Sequence, residues 1–550
     1  MRTVAVVFLA SALVAAAPDV RGADRSVRSV TQFRSVSPRL GQAIDLGLEA
    51  FTTEHNIVIG LELRNHAALE RFLTDVQDPA SAVYHQFLTP AEFNARYAPT
   101  PDAEDRIVDY LQAHGLRVTD RFPNRLVVGA VGSVAALERA FAVEMHAVAL
   151  NGRQHYATVT EPTLPADLAG SVVGVFGLDD LTAMHSRART SQSVPQPRAA
   201  LGGKCCHFSP PDLATFYDDA VPYTGAGQTL IIAGAYAWKA SDVTAFNQQW
   251  GLPPLPSGSG QVCVGTQSFF SSGCTFDFQN SIEISLDVEY AHGTAPGAII
   301  KNYMAVSTAL SDFTRMYNRI VTDNPGHVVS TSWGACEAGI PAAAQRTNDN
   351  IFANANAIGQ SWFAASGDNG STDCNGLVTV DHPANSPHVI GTGGTTPACR
   401  SGMTAANPVC GGYGSEVGWK GSGGGSSQVF ARPAFQRGCR VPTSTKRLVP
   451  DVALAADPSP GNYVRHGGFW YIVGGTSAAA PQWAGFFAEL NQKKGGAGLG
   501  NPGTRLYALC GTPAYHDIIT GSNGIYNARV GYDRVTGLGS LDAQNLFVLY

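Results

Sequence analysis

The sequence predicts an α/β protein: a doubly wound, mainly parallel sheet in the C-terminal part, preceded by a smaller α+β domain. Two observations lead there. From about Cys205 onward, continuous apolar runs of strand length alternate with helical stretches, the pattern of a parallel sheet covered on both faces. Before that point, residues 30–183 form a block without cysteine in which strands alternate with amphipathic helices, as in a compact α+β sandwich. At 550 residues the chain has room for both.

The first residues read as an export signal over 1–22. Arg2 is followed by an apolar stretch, Val4 to Ala17, that is too short to span a membrane comfortably. In the 30–183 block, Ile57 to Leu63 alternates like a strand and Ala67 to Asp75 has helical period. Thr89 before Pro90 marks a helix start. A helix is expected over Asp102 to His114, a strand over Leu126 to Ala130 and a helix over Ser133 to Phe141. Residues 184–204 are polar, contain two prolines and lack acidic residues. They read as a mobile linker open to cleavage.

In the 205–550 block the expected strands are Gln228–Gly234, Ala298–Met304, His327–Ser332, Ser361–Ser366 and Pro387–Gly391. Helices are expected at Ser241–Trp250, with Ser241 as cap, Ser311–Thr322 and Ala342–Ile358. Chemistry in such sheets collects beyond the carboxyl ends of the strands, and Asp368 lies just past one. All ten cysteines lie in this block. An even count in an exported chain suggests disulfides, with Cys263/Cys274 and Cys399/Cys410 close enough to close small loops. Neither zinc-type spacing nor a His-Glu-x-x-His string occurs. The net charge of −6 gives no reason to expect nucleic acid as a partner.

The stretch Gly474-Gly475-Thr476-Ser477-Ala478-Ala479-Ala480-Pro481 should turn tightly and open a helix, with Pro481 in its first turn. Ser477 would then stand at a helix N-terminus among unpaired N–H groups, which suits a nucleophile that forms an oxyanion. Glu283 and Asp287 lie four residues apart, on one helical face. Asn280 and Glu283 also fit a capping box.

Gly-Thr-Ser-x-x-x-Pro resembles the nucleophile motif shared by subtilisins and sedolisins, the latter also called serine-carboxyl peptidases. Glu283-x-x-x-Asp287 followed by Ala295-Pro296-Gly297-Ala298 resembles the sedolisin base motif, kumamolisins in particular. Ala365-Ser366-Gly367-Asp368-Asn369-Gly370 resembles the family's oxyanion segment, Ser330–Gly334 its substrate-binding strand, and Tyr84 to Tyr97 its pro-domain. The resemblance implies a subtilisin-like sheet, a pro-domain (30–183) that chaperones and inhibits, an activation linker (184–204) and a peptidase domain (205–550). It also implies roles. Ser477 attacks a peptide carbonyl and Glu283 is the base. Asp287 orients Glu283, and a protonated Asp368 donates to the oxyanion. An acidic optimum follows, because carboxyls ordinarily titrate near pH ~4.

The C-terminal loops resemble the family's calcium site, with Asp517 and Asp533 binding through side chains and Ile518, Arg529 and Gly531 through carbonyls. Arg529 stands where glycine is common. The expected protein is a secreted, self-activating endopeptidase acting as a monomer on peptides and proteins, with no membrane span. Two alternatives are a tripeptidyl exopeptidase of the same family and a subtilisin-type enzyme using His292. The second is disfavoured because His292-Gly293-Thr294 runs into Ala-Pro-Gly-Ala and no Asp-centred strand motif lies upstream.

Overall fold

Glu54–Leu61 (β1) shows how period-two patterning builds the first domain: Ile57 and Ile59 enter one apolar cluster, while Val58 enters another. The first cluster is the domain's own, formed with helices Pro101–Ala113 and Val134–Phe141; the second is shared with the larger domain. In this computed structural model residues 28–29, 33–194, 206–265, 272–374, 376–404 and 406–550 are described. The expected signal peptide and residues 195–205 lie outside them.

The longer helices of the first domain are His66–Asp75 (α1), Pro90–Arg96 (α2), Pro101–Ala113 (α3) and Val134–Phe141 (α4). Its other main strands are Arg117–Arg121 (β2), Val127–Ser133 (β3) and Val172–Phe176 (β4), giving an antiparallel sheet ordered β2-β3-β1-β4. Thr89 caps α2 in a capping box with Glu92, and Ser133 caps α4.

The expected linker is largely strand where it is described. His185–Ser186 (β5) and Arg189–Val194 (β6) each pair antiparallel with a strand of the larger domain. A polar, proline-containing composition predicted mobility. It could not reveal that the segment's backbone N–H and C=O groups meet two waiting strand edges.

The larger domain contains Thr229–Ala235 (β7), Ala240–Trp250 (α5), Gly260–Val264 (β8), Ile282–Thr294 (α6), Ile299–Ala305 (β9) and Leu310–Asp323 (α7). These are followed by Val328–Thr331 (β10), Trp333–Cys336 (β11), Ala342–Ala357 (α8), Ser361–Ala365 (β12), Ile390–Cys399 (β13) and Tyr413–Gly418 (β14). Val452–Ala455 (β15), Asn462–His466 (β16), Phe469–Gly474 (β17) and Thr476–Lys493 (α9) complete the core. The eight-stranded sheet runs β8-β9-β7-β10-β12-β13-β14, with β15 also on β13; every pairing is parallel except β13–β14. Along β7, Leu230 and Ile232 face the cluster holding α6 and α9, whereas Ile231 and Ala233 face that of α7 and α8. Both faces are covered, which is why these strands read as unbroken apolar runs.

The first domain docks on α7 and α8. A Cβ at Gly60 would sit 2.2 Å from Thr347 Oγ1, and one at Gly174 would sit 2.4 Å from Ala343 Cβ. Only glycine lets sheet and helix approach this closely. Arg315 Nη2 donates to Ile57 O at 2.9 Å and its Nε lies 3.3 Å from Asp120. His388 joins Asp349 at 2.9 Å to Glu70 of α1 at 3.6 Å.

Local readings shift in four places. Helix α5 begins at Ala240 with Lys239 in the cap position, and Ser241 is not its cap. Strand β13 begins at Ile390, because Ser386 and His388 are turned to bind Asp349. No capping box forms at α6: its N-cap is Ser281, Glu283 points into the core, and Asn280 bonds Asp277. Pro481 is the sixth residue of α9 and not in its first turn. Disulfides join Cys263–Cys274 and Cys399–Cys410 as expected, and also Cys336–Cys374 and Cys439–Cys510.

Candidate active site

Helices α6 and α9 lie side by side under the sheet, and their packing brings Glu283 to Ser477. Ser477 Oγ donates to Glu283 Oε2 at 3.0 Å, with both residues fully buried. Gly475 makes the turn into α9 with φ +104°, a conformation L side chains avoid. Ser477 is then the second residue of the helix. Pro481, four residues on, has no N–H for the Ser477 carbonyl. Ser332 Oγ fills the gap loosely at 3.4 Å.

The same hydroxyl lies 2.6 Å from Asp287 Oδ1, one helical turn beyond Glu283. Glu283 Oε1 and Asp287 Oδ2 are buried with no hydrogen-bond partner of good geometry. Burial pushes the Glu283 carboxyl up to about 7, against the Ser186 and Ser477 hydroxyls and the Ala188 N–H, which favour its charged form; the Asp368 charge adds to the rise. Burial, then the charge of Glu283, push Asp287 well above the carboxylate range.

Asp368 follows β12. Its Oδ1 accepts from Thr476 N–H at 2.8 Å and Thr476 Oγ1 at 2.9 Å, and its Oδ2 has no hydrogen-bond partner. Burial raises it to about 6 although the Thr476 N–H, Arg187 and Arg189 all oppose that.

The 185–189 segment passes through this cluster. Arg187 N–H donates to Ser332 O at 3.0 Å, and His185 and Ser186 pair with Gly334 and Trp333. Arg189 pairs with Gly474. A Cβ on Gly475 would stand 2.0 Å from Arg187 O and 2.6 Å from Asp368 Oδ2, so the Arg187 carbonyl lies beside Asp368 where the turn into α9 begins. The next N–H, that of Ala188, donates to Ser186 Oγ at 3.3 Å and also lies close enough to Glu283 to favour its charged form. The Arg187–Ala188 bond therefore lies along the cluster, its oxygen toward Asp368 and its nitrogen toward Glu283. The Arg187 guanidinium is buried against Asp381 and lies 3.9 Å from Asp373. Trp333 is core aromatic and edge strand together: its ring packs near Tyr236 and Phe313 while its backbone pairs with Ser186.

His292 is elsewhere. Its Nε2 is held 2.8 Å from Pro253 O, and the Ser477 hydroxyl goes to Glu283 instead.

At the C-terminal loops, Asp517 accepts the Gly531 N–H at 3.0 Å, and Asp533 accepts those of Arg529, Val535 and Thr536 at 2.8–3.0 Å. The 529–531 loop thus bridges the two carboxylates. Burial raises Asp533 to about 6, and among the described residues neither aspartate has an ion-pair partner. The Arg529 guanidinium turns away, to Tyr532 O and Arg440 O. Two carboxylates without a protein cation are the hard oxygen donors a divalent ion takes, while the 529–531 loop meets them through N–H groups.

The sequence reading placed Ser332 in the substrate-binding strand and Thr476 in the nucleophile motif without foreseeing their bonds to Asp287 and Asp368, and it missed Asp373, Asp381 and the arginines of the segment. Asp381 lies thirteen residues beyond Asp368 and offered only an aspartate before His-Pro. Arg187 and Arg189 looked like ordinary linker charge.

Residues 44–181 match the family profile described as Pro-kumamolisin, activation domain, and residues 271–502 that of the Subtilase family. The chain is 32% identical to sedolisin of Pseudomonas sp. (strain 101), over 91% of this chain and 88% of that protein. It is 32% identical to kumamolisin of Bacillus sp. (strain MN-32), over 91% and 92% respectively. A solved structure of Pseudomonas sedolisin, titled a serine-carboxyl proteinase, superposes with a TM-score of 0.56 at 30% identity, covering 63% of this chain and 98% of that one.

Proposed function

The chain belongs to the sedolisin family of serine-carboxyl peptidases, and from that premise we propose that it is an exported, acid-active endopeptidase that cuts itself free of its pro-domain. One observation carries this reading: Ser477 Oγ donates to Glu283, the Ala188 N–H lies near the same carboxyl, and the Arg187 carbonyl lies beside Asp368. That gathering supports reading Ser477 as nucleophile, Glu283 as base, the Ala188 nitrogen as leaving group and Asp368 as oxyanion donor.

In the proposed reaction Glu283 takes the Ser477 proton as Oγ attacks the carbonyl, and returns it to the leaving amine. A proton held between Glu283 Oε1 and Asp287 Oδ2 satisfies two otherwise orphaned oxygens and keeps Glu283 oriented; Ser332 fixes the far side of Asp287. Protonated Asp368 donates to the oxyanion, and burial favours that neutral form. Water then cleaves the acyl-enzyme by the same groups in reverse.

Endopeptidase action is favoured over tripeptide release because the chain continues past the third residue before the bond. Met184 N–H donates to Thr308 O, and Ala183 bridges Ala309. The groove therefore accepts chain on that side. Pairing of Arg187 with Asp381 supports a basic residue before the cut bond. Export is supported by the Arg2 and Val4–Ala17 stretch and by the four disulfides seen among the described residues. We assign one calcium ion to Asp517, Asp533 and the carbonyls of Ile518, Arg529 and Gly531, where it would tie the loops together. The protein is taken to act as a monomer.

The test is acidification of purified precursor, N-terminal sequencing of its products, and a pH profile on an unfolded protein. Self-cleavage within 184–204 and a falling rate toward neutrality are expected. A rate that peaks above neutrality and follows a histidine ionisation would sink the reading.

A further inference from the structure

Arg189 is the second residue after the bond laid across Ser477, and its guanidinium meets the site directly. Its Nε lies 3.4 Å from Asp368 Oδ2 and its Nη2 donates to Asn369 Oδ1 at 2.6 Å. Oδ2 has no other partner, since the Thr476 contacts fall on Oδ1. This oxygen is also on the side of the Arg187 carbonyl, across Gly475.

We propose that an arginine two residues beyond the cut bond resists protonation of Asp368, so that a chain carrying it binds productively in register but turns over slowly until the pH is low enough for Asp368 to take its proton. The inference rests on the proposed role of Asp368. A carboxylate cannot donate to an oxyanion, and a carboxylate beside a cation is reluctant to take the proton it needs. The segment would thus be both substrate and brake, with the brake released by acid.

Other charged groups face Asp368. Arg187 comes from the same segment, but it is matched by Asp381 and Asp373. Glu283 from α6 and Asp381 near β11 are carboxyls and favour a protonated Asp368. Arg189 is the cation near the site whose only carboxylate partner, among the described residues, is Asp368. Arg187 and Arg189 both oppose protonation of Asp368 against its burial, and of the two Arg189 is the one with no other carboxylate, among the described residues, to share its charge. The same logic extends to any substrate: an arginine in that position trades turnover for binding.

Two experiments test this. The first uses active enzyme and two peptides of sequence 183–192, one natural and one with glutamine in place of Arg189. Near the upper end of the active pH range the arginine peptide should show a kcat about tenfold lower, the effect of displacing one ionisation by one unit, with KM no higher. The difference should vanish at low pH. Equal kcat at every pH, or faster turnover of the arginine peptide, would overturn the proposal. Cleavage of both peptides at another bond would overturn the register, and the proposal with it.

The second compares intact precursor with its Arg189→Gln variant. The variant should cut itself after Arg187 at a higher pH than the parent, by about one unit. An unchanged pH limit with the same cut site would count against the brake while leaving the wider peptidase reading standing. Loss of self-cleavage in an Asp368→Ala precursor checks that reading separately.

Discussion

Ser477 and Glu283, 194 residues apart, are hydrogen-bonded at 3.0 Å in a site closed to water. A serine hydroxyl is a weak nucleophile without a base, and the only basic group bonded to this one is the Glu283 carboxylate. Glu283→Gln keeps the shape and removes the base, so kcat should fall about 100- to 10,000-fold. His292→Ala should leave turnover near the parent's. Retained activity in Glu283→Gln together with its loss in His292→Ala would reverse the assignment. Both are read from the rate of precursor self-cleavage at acid pH.

Asp368→Asn isolates the oxyanion donor. Asparagine always donates and never ionises, but its amide lacks the carboxyl's acidity and must be satisfied by the two Thr476 donors that now address Oδ1. A fall in kcat of about 100- to 1,000-fold is expected, the usual cost of one oxyanion donor. The residual activity should decline less steeply toward neutral pH than the parent's. A variant with the parent's pH profile would mean that Asp368 is not the group that titrates.

Ser332→Ala tests how Asp287 is held. The Ser332 hydroxyl at 2.6 Å favours charge on Asp287, against burial and against Glu283. Without it Asp287 should hold its proton more tightly, and Glu283 should lose orientation. A kcat about tenfold lower is expected, with KM little changed because the Arg187 N–H is received by the Ser332 carbonyl, not its side chain. A rise in KM alone would assign Ser332 to binding.

Much of this was legible in the chain, for physical reasons. A doubly covered parallel sheet needs strands apolar on both faces, so β7, β9, β10 and β12 announced themselves as runs. Glu283 and Asp287 share a helical face whatever else surrounds them. The segment 185–194 was not legible, because its structure comes from the edges of β11 and β17 and not from its own residues. Pro481 misled for a similar reason. Proline usually avoids the second turn of a helix because it leaves a carbonyl unpaired, and here the Ser332 hydroxyl from a distant strand stands next to that carbonyl.

Acid should stabilise the peptidase domain and loosen its partner. Burial raises Asp219 to about 7, with the Asp218 charge adding, and Glu489 to about 10, with the Asp219 charge adding. Groups with raised pKa contribute stability that is complete below the ordinary carboxyl range and is lost as pH climbs, here from about 4 through about 7 for Asp219 and on through about 10 for Glu489. Glu70 behaves oppositely. Burial pulls it up, but His388 prevails and its pKa is lowered, so its contribution is lost as pH falls. In a Ser477→Ala precursor, the mature domain's Tm should drop between pH 4 and pH 7. Glu70→Gln should let the pro-domain separate at a higher pH than in the Ser477→Ala parent. A Tm that rises steadily toward neutrality would contradict the first expectation, and an unmoved separation pH the second.

Calcium removal should cost the C-terminal loops their order. Asp533 is 2% exposed, yet only N–H groups and the Thr536 hydroxyl address its oxygens. Asp517 reaches the same loop through Gly531. Those hydrogen bonds offset part of the cost of burying the charge, and a divalent ion between the two carboxylates would offset more. At calcium one hundred times Kd the ion adds about 2.7 kcal/mol to stability, so a strong chelator should lower Tm by several degrees and re-added calcium should restore it. Asp533→Asn should lower Tm in calcium and abolish the chelator's effect, because the remaining site holds one carboxylate. Arg529→Gly should leave calcium dependence intact, since the guanidinium faces Tyr532 and Arg440 and only the backbone carbonyl is assigned to the ion. If chelation leaves Tm unmoved in the parent protein, the two aspartates are turn residues and the metal assignment falls.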